Sequence, residues 1–155
     1  EQLILNIELV FQRDKRNAEI PRGVVHADLF RDNALWDGDS LSGIIDFYYA
    51  CDDVLLYDLA VTANDWCCNL DYSLNHDKVV ALLTHYNKHR ALTKIEQRYW
   101  PTMLRAAALR FWLSRLYDKH FPRPGELVHT KDPDEFEAIL VDRINQQDKY
   151  QTFWI

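Results

Sequence analysis

Between Val24 and Asn33 the sequence reads VVHADLFRDN: two β-branched residues, then a histidine, two aspartates, an arginine and an asparagine within eight positions. Such a stretch is either a solvated turn at the end of a strand or a loop that carries phosphate and metal chemistry. Phosphoryl transfer from ATP needs a carboxylate beside the acceptor hydroxyl, and oxygen ligands for magnesium that neutralise charge on the moving phosphate. The spacing His26-x-Asp28-x-x-x-x-Asn33 places both on one loop. Alone, that string is only moderately specific. A third group strengthens it. Asp46 follows Ile44 and Ile45, thirteen residues after Asn33. An acid at the end of an apolar strand needs a reason, and bound Mg²⁺ supplies one.

The elements that must position these groups can be read from punctuation. A first helix, with Leu3, Ile4, Ile7, Val10 and Phe11 on one face, is expected to end near Asn17, before the connector RNAEIPRG. A short strand, Gly23 to Val25, feeds the loop. Ala34 to Trp36 and Leu41 to Phe47 form a hairpin around Asp37-Gly38-Asp39. The remainder is helical. Leu55 to Trp66 is apolar around most of its circumference and should be a buried central helix. Asn75 caps a helix through Tyr86. Thr93 and Glu96 spell a capping box opening a helix that Pro101 should break or kink before Met103 to Tyr117 continues. Asp132, Pro133 and Glu135 begin a last helix reaching about Gln146. Between these two, HFPRPGELVHTKD is the longest loop. There is no internal repeat.

Composition bounds the function. The 155 residues are 48% apolar, with five Trp, eight Tyr and seven Phe, enough for one domain with its own core. A net charge of −6 without any long run of Lys or Arg argues against a nucleic-acid partner. No apolar run approaches the roughly 20 residues of a membrane span. Cys51 and the adjacent Cys67 and Cys68 give neither an even framework nor a CxxC pair, so free thiols and a cytoplasmic location are expected. The chain opens on Glu1 and runs directly into a helix, so a preceding segment is expected.

HADLFRDN followed by GIIDF and LLYDLA resembles the carboxy-terminal lobe of the aminoglycoside phosphotransferase and choline kinase superfamily. Within it, the segment from Gly23 to Cys67, with LRAAALRFWLSRLYD and KDPDEFEAIL, is most similar to the bacterial homoserine kinase family. The resemblance runs from Gly23 to about Leu140. It implies an α+β, mainly α, protein-kinase-like lobe over residues 1–155, with the catalytic loop and hairpin over 23–47 and a helical substrate subdomain over 55–147. It implies ATP as co-substrate, homoserine as acceptor, and a product used for threonine synthesis. Asp28 would orient or deprotonate the acceptor hydroxyl, and Asn33 and Asp46 would hold Mg²⁺ between the phosphates. His26 would brace the loop, and Asp58 would anchor it through buried hydrogen bonds. Arg31 points at phosphate or into solvent. Ala27 stands where the family usually has Gly, which is tolerable if the position needs no positive φ. No glycine-rich loop or strand lysine is present, so the amino-terminal nucleotide lobe is expected to lie outside this chain, and the surface it would cover leaves a homodimer open.

An acceptor with an ammonium, a carboxylate and a hydroxyl needs an acid, a base and a wall. Asp65 and Trp66, with Arg110, Trp112 and Arg115, offer all three, and Tyr48 and Tyr49 flank Asp46. Each also has a plain structural use, the aromatics as core and the arginines as surface ion pairs. Other readings are a kinase of choline, an aminoglycoside or a sugar-like alcohol, a metal-dependent phosphohydrolase, and a helical interaction domain without activity. The phosphohydrolase would want more histidine ligands than the spacing of His76, His85, His89, His120 and His129 offers.

Overall fold

The computed structural model describes residues 2–15, 19–121 and 131–155. Helix α1 (Gln2–Lys15) is followed by strand β1 (Arg22–Val25), the hairpin β2 (Ala34–Asp37) and β3 (Ser40–Ile44), strand β4 (Cys51–Val54), and helices α2 (Leu55–Trp66), α3 (His76–His89), α4 (Lys94–His120), α5 (Pro133–Asn145) and α6 (Gln147–Gln151). The class is the expected one, mainly helical with a little β structure. The connection expected at HFPRPGELVHTKD falls largely on residues 122–130 and lies outside the described residues, as does His129.

Helix α4 is the hub of the core, packed against both α2 and α5. Leu56, Leu59, Ala60, Val61 and Ala63 are buried against Trp100, Leu104, Ala107, Ala108 and Phe111 of α4, and Phe136, Ile139 and Leu140 of α5 close the far side. Alanines on both α2 and α4, each fully buried, let the two backbones approach closely. The caps form where the residue types put them. Asn75 accepts from the Lys78 N–H, Thr93 and Glu96 complete their box, and Asp132 accepts from the Asp134 N–H ahead of Pro133.

Several expectations need correction. Of the break or kink expected at Pro101 the break does not occur: α4 runs unbroken through it, 27 residues in all. Pro101 cannot donate to the Gln97 carbonyl four residues back, and the Gln151 side chain donates there instead at 2.7 Å. The apolar face of α1 is only partly covered: Ile4 packs against the core and Phe11 lies under the Arg105 guanidinium, whereas Leu3, Ile7 and Val10 are exposed, and Glu8 and Gln12 are buried. Glu8 is held by the Arg105 guanidinium (Nε to Oε2, 3.0 Å), and Gln12 reaches the Thr102 carbonyl at 3.2 Å. A polar lock therefore joins α1 to α4. Strand β3 ends at Ile44, not Phe47, because Asp46 turns the chain with φ 62° and Phe47 to Tyr49 form a 3-10 turn. The stretch Cys51–Val54 is a strand, antiparallel to β1 with Gly23 opposite Asp53. Its two aspartates oppose strand propensity, and Arg22 offsets them by pairing with Asp52 at 3.1 Å and Asp53 at 3.4 Å. Finally, α5 is not the last helix, since α6 follows it. Among the described residues no helix is long and apolar enough to cross a membrane.

Candidate active site

The loop after β1 is gripped at both ends by α2. Asp58 accepts two hydrogen bonds from consecutive main-chain amides, His26 N–H to Oδ2 and Ala27 N–H to Oδ1, both at 2.7 Å. Two turns further along α2, Asp65 accepts from the Arg31 N–H at 2.7 Å, and the neighbouring Trp66 indole donates to the Leu29 carbonyl at 3.1 Å. Seven residues separate Asp58 from Asp65, so both carboxylates lie on one face of the helix. Bonds from amides to a carboxylate are among the stronger neutral–ionic pairs.

That grip sustains an unfavourable backbone. Ala27 has φ 64°, a left-handed conformation that costs a residue with a Cβ roughly 1–2 kcal/mol. The position therefore does take positive φ, contrary to the condition under which alanine was expected to be tolerable. Alanine is held there by the bonds on both sides of it.

His26 ties the loop to the hairpin. Its Nε2 lies 2.9 Å from the Ile45 carbonyl, and its Nδ1 accepts the Asp28 N–H at 3.3 Å. These partners place the ring proton on Nε2. The ring also sits 4.6 Å from that of Phe47. The Ile45 N–H donates to the Asn33 carbonyl at 3.0 Å. Asp46, the next residue, is thereby delivered to the same cavity as Asp28 and Asn33, a space of about 290 Å³.

Within this cavity the three polar groups differ. Asn33 is buried, and its Nδ2 donates to the Asp28 carbonyl at 2.7 Å and approaches Asp28 Oδ2 at 3.4 Å. With the amide nitrogen so committed, Oδ1 is the atom left for a cation. The exposed Asp46 carboxylate accepts no hydrogen bond from the described residues. Two hard oxygen donors of this kind suit a small divalent cation that keeps waters and phosphate oxygens as its other ligands. Among the described residues no three His, Cys, Asp or Glu side chains cluster to hold a metal by themselves. Asp28 is mostly covered. Burial raises its pKa above the ordinary aspartate value and the Asp46 charge adds to the rise, while Arg110 opposes it.

The other expected substrate contacts separate. Arg31 and Asp65 spend their charges on each other (Nη2 to Oδ1, 3.2 Å; Nε to Oδ2, 3.2 Å), and the hydrogen bond raises the Arg31 pKa. Trp66 is tilted against Trp36 and holds the loop backbone. Tyr48 is 87% exposed, whereas Tyr49 lines the cavity. Arg115 reaches the cavity wall but is bound to the Asp132 carbonyl at 3.0 Å and to Glu135 at 2.5 Å. Trp112 is fully buried core. Arg110 stands closest to the chemistry, with Nη1 3.2 Å from the Ala27 carbonyl and 3.9 Å from Asp28 Oδ1. Two further lining residues, Ser114 and Asp118, were not singled out from the sequence. With Arg110 they recur every four residues on α4, a helical spacing that marks one face.

A family model for the phosphotransferase enzyme family (APH) matches residues 1–92, the part that contains the loop, the hairpin and α2. Proteins named homoserine kinase are similar along nearly the whole chain. That of Methylobacillus flagellatus is 52% identical over 152 residues, covering 98% of this chain and 48% of the relative. That of Methylobacillus glycogenes is 49% identical with the same coverage, and that of Pseudomonas aeruginosa 50% identical over 133 residues, 85% of this chain and 42% of the relative. The chain spans about half the length of these curated relatives. With its loop, metal-type oxygens and covered carboxylate arranged as above, and with the family match running through all three, this chain belongs to the phosphotransferase enzyme family.

Proposed function

We propose that this chain is the catalytic and acceptor-binding lobe of an ATP-dependent kinase that phosphorylates the side-chain hydroxyl of L-homoserine in the cytoplasm, feeding threonine synthesis. An amino-terminal lobe of the same protein would grip the nucleotide, since no glycine-rich segment of this chain can wrap phosphates. The observation that carries the reading is the meeting of Asp28, Asn33 and Asp46 in one cavity, supported by the printed names of relatives near half identity.

In this mechanism Asp28 accepts the hydrogen bond of the acceptor hydroxyl and takes its proton as the oxygen attacks the γ-phosphorus of ATP. The new O–P bond forms as the bond to the bridging oxygen of ADP breaks, and ADP leaves with those electrons. Partial burial serves this role, because it makes the carboxylate a better proton acceptor than a solvated aspartate. Arg110 opposes the rise in the Asp28 pKa and so favours the ionised carboxylate. Asn33 Oδ1 and the Asp46 carboxylate would hold Mg²⁺, whose charge offsets that of the phosphates. His26, Asp58, Asp65 and Trp66 fix the loop and touch no reacting atom.

The test is ADP release by the complete protein with Mg²⁺-ATP, offered homoserine, choline or an aminoglycoside. Turnover with homoserine and not the others is expected. Turnover with choline or the aminoglycoside alone would leave the phosphotransfer roles standing and overturn the acceptor. No turnover with any of them would overturn the reading.

A further inference from the structure

Arg110 is the shared wall of two cavities. The first holds Asp28, Asn33 and Asp46. The second, about 670 Å³, is bounded by Gln12, Ala27, Asp53 and Tyr57 as well as Arg110, and Tyr49 also borders both. The second is large enough for a small amino acid, and its wall is part apolar and part polar, as small-molecule sites usually are. Tyr57 there is a neutral phenol at working pH, its pKa pushed up to about 12 by burial.

Among the described residues four cations line these cavities, and three of them are already spent. Arg22 lies 3.1 Å from Asp52, Arg115 2.5 Å from Glu135, and Lys131 2.8 Å from Asp32. Arg110 differs. Among the described residues its nearest carboxylate oxygen is that of Asp28 at 3.9 Å, beyond hydrogen-bonding distance, and Nη1 alone makes a bond, to the Ala27 carbonyl. Nε and Nη2 donate to no group among the described residues. The guanidinium is nevertheless fixed in orientation, lying 4.6 Å from the Tyr49 ring centroid and 4.3 Å from that of Phe111. A planar fork, held in place with an edge unspent, is a receptor for a planar carboxylate.

Resting on the homoserine reading, we propose that the second cavity receives the acceptor and that Arg110 binds its α-carboxylate, so that this residue selects alcohols that carry a carboxylate. The arm from that carboxylate to the side-chain hydroxyl of homoserine is roughly 5 Å, three C–C bonds and one C–O. A carboxylate on the free edge of Arg110 thus puts the hydroxyl within reach of Asp28, on the other flank of the same guanidinium. An amino alcohol lacking the carboxylate leaves the fork unmatched.

The experiment compares kcat/KM of the complete protein for homoserine and for 3-aminopropan-1-ol, which is homoserine without its carboxylate, in the parent and in Arg110→Gln. A charge-assisted pair of bonds is worth roughly a 10- to 100-fold preference, so kcat/KM for homoserine should fall by about that factor more than for the amino alcohol. An equal fall with both substrates would confine Arg110 to setting the ionisation of Asp28 and overturn the proposal. Unfolding of Arg110→Gln is checked by thermal melting. Should it not fold, Arg110→Lys keeps the charge and loses the fork, and discrimination should drop part of the way; undiminished discrimination there overturns the assignment. The underlying reading fails separately. A parent that prefers another carboxylate-bearing alcohol, such as serine, loses the homoserine assignment but keeps that of Arg110, whereas a parent that uses only alcohols without carboxylates loses both.

Discussion

The catalytic loop and the hairpin that follows it supply groups to one cavity, yet they are built in opposite ways. The loop is gripped from below at both ends by α2, through Asp58 at His26 and Ala27 and through Asp65 and Trp66 at Arg31 and Leu29. The hairpin is exposed along most of its length, and its join to the loop is two hydrogen bonds at Ile45 and a ring contact at Phe47. The difference suits the roles proposed for Asp28 and Asp46. A proton acceptor gains from partial burial, which raises its pKa, and burial demands that everything around it be satisfied. A metal ligand has to meet a hydrated ion and phosphate, so it stays wet and unpaired.

The comparison is broken most directly at Asp28. Asp28→Asn in the complete protein is expected to lower kcat by 100-fold or more, the usual contribution of a general base, measured by ADP release. Its effect on stability has the opposite sign. A carboxylate with a raised folded pKa contributes stability below its unfolded pKa and loses it as pH rises through the folded value. At pH 7 the neutral asparagine should therefore leave the melting temperature unchanged or higher. The same shift puts the acid limb of kcat/KM above the ordinary aspartate range, with activity lost as pH falls through it.

Next comes Asp58→Ala, which leaves two covered amides unpaired. A loss of about 2–4 kcal/mol is expected, read from urea unfolding, together with loss of turnover. A variant as stable as the parent would mean that the loop is held elsewhere. Asp46→Ala sharpens the contrast from the other side. It should raise the magnesium concentration needed for half-maximal rate by about tenfold, while stability falls by no more than about 1 kcal/mol, since the side chain is exposed without partners among the described residues and only the left-handed backbone at φ 62° disfavours alanine. The smallest effect is expected at Ala27→Gly. Removing the Cβ from a left-handed position should stabilise by up to about 1 kcal/mol, since relief of strain is partly offset by backbone entropy and the lost methyl. Destabilisation would show that the buried methyl outweighs the strain.

Much of the site is legible as type and spacing. His26, Asp28, Asn33 and Asp46 stand out because carboxylates and amides after apolar strands need partners, and the caps at Asn75, Thr93 and Asp132 are local chemistry that depends on nothing distant. What escapes is whatever depends on a partner far along the chain. Strand β4 carries two aspartates and forms by pairing its backbone with β1, thirty residues earlier, where Arg22 also meets both carboxylates. The polar face of α1 is buried because Arg105, ninety-seven residues on from Glu8, is there to meet it. Arg31 and Asp65 read as candidate substrate groups until folding brings them together. Tyr48 and Tyr49 cannot be told apart by type, and only the 3-10 turn after Asp46 decides which of them faces the cavity.

The hold of Asp58 has a consequence for how freely this loop can vary. What the carboxylate grasps is main-chain N–H, present at every residue but proline, so it is indifferent to which side chains sit at the two positions it holds. Within the limits set by the hydrogen bonds of the His26 ring and by the left-handed backbone at Ala27, substitutions there leave this grip on the loop in place. Proline at either position is the exception, because it would remove the very handle by which the helix carries the loop.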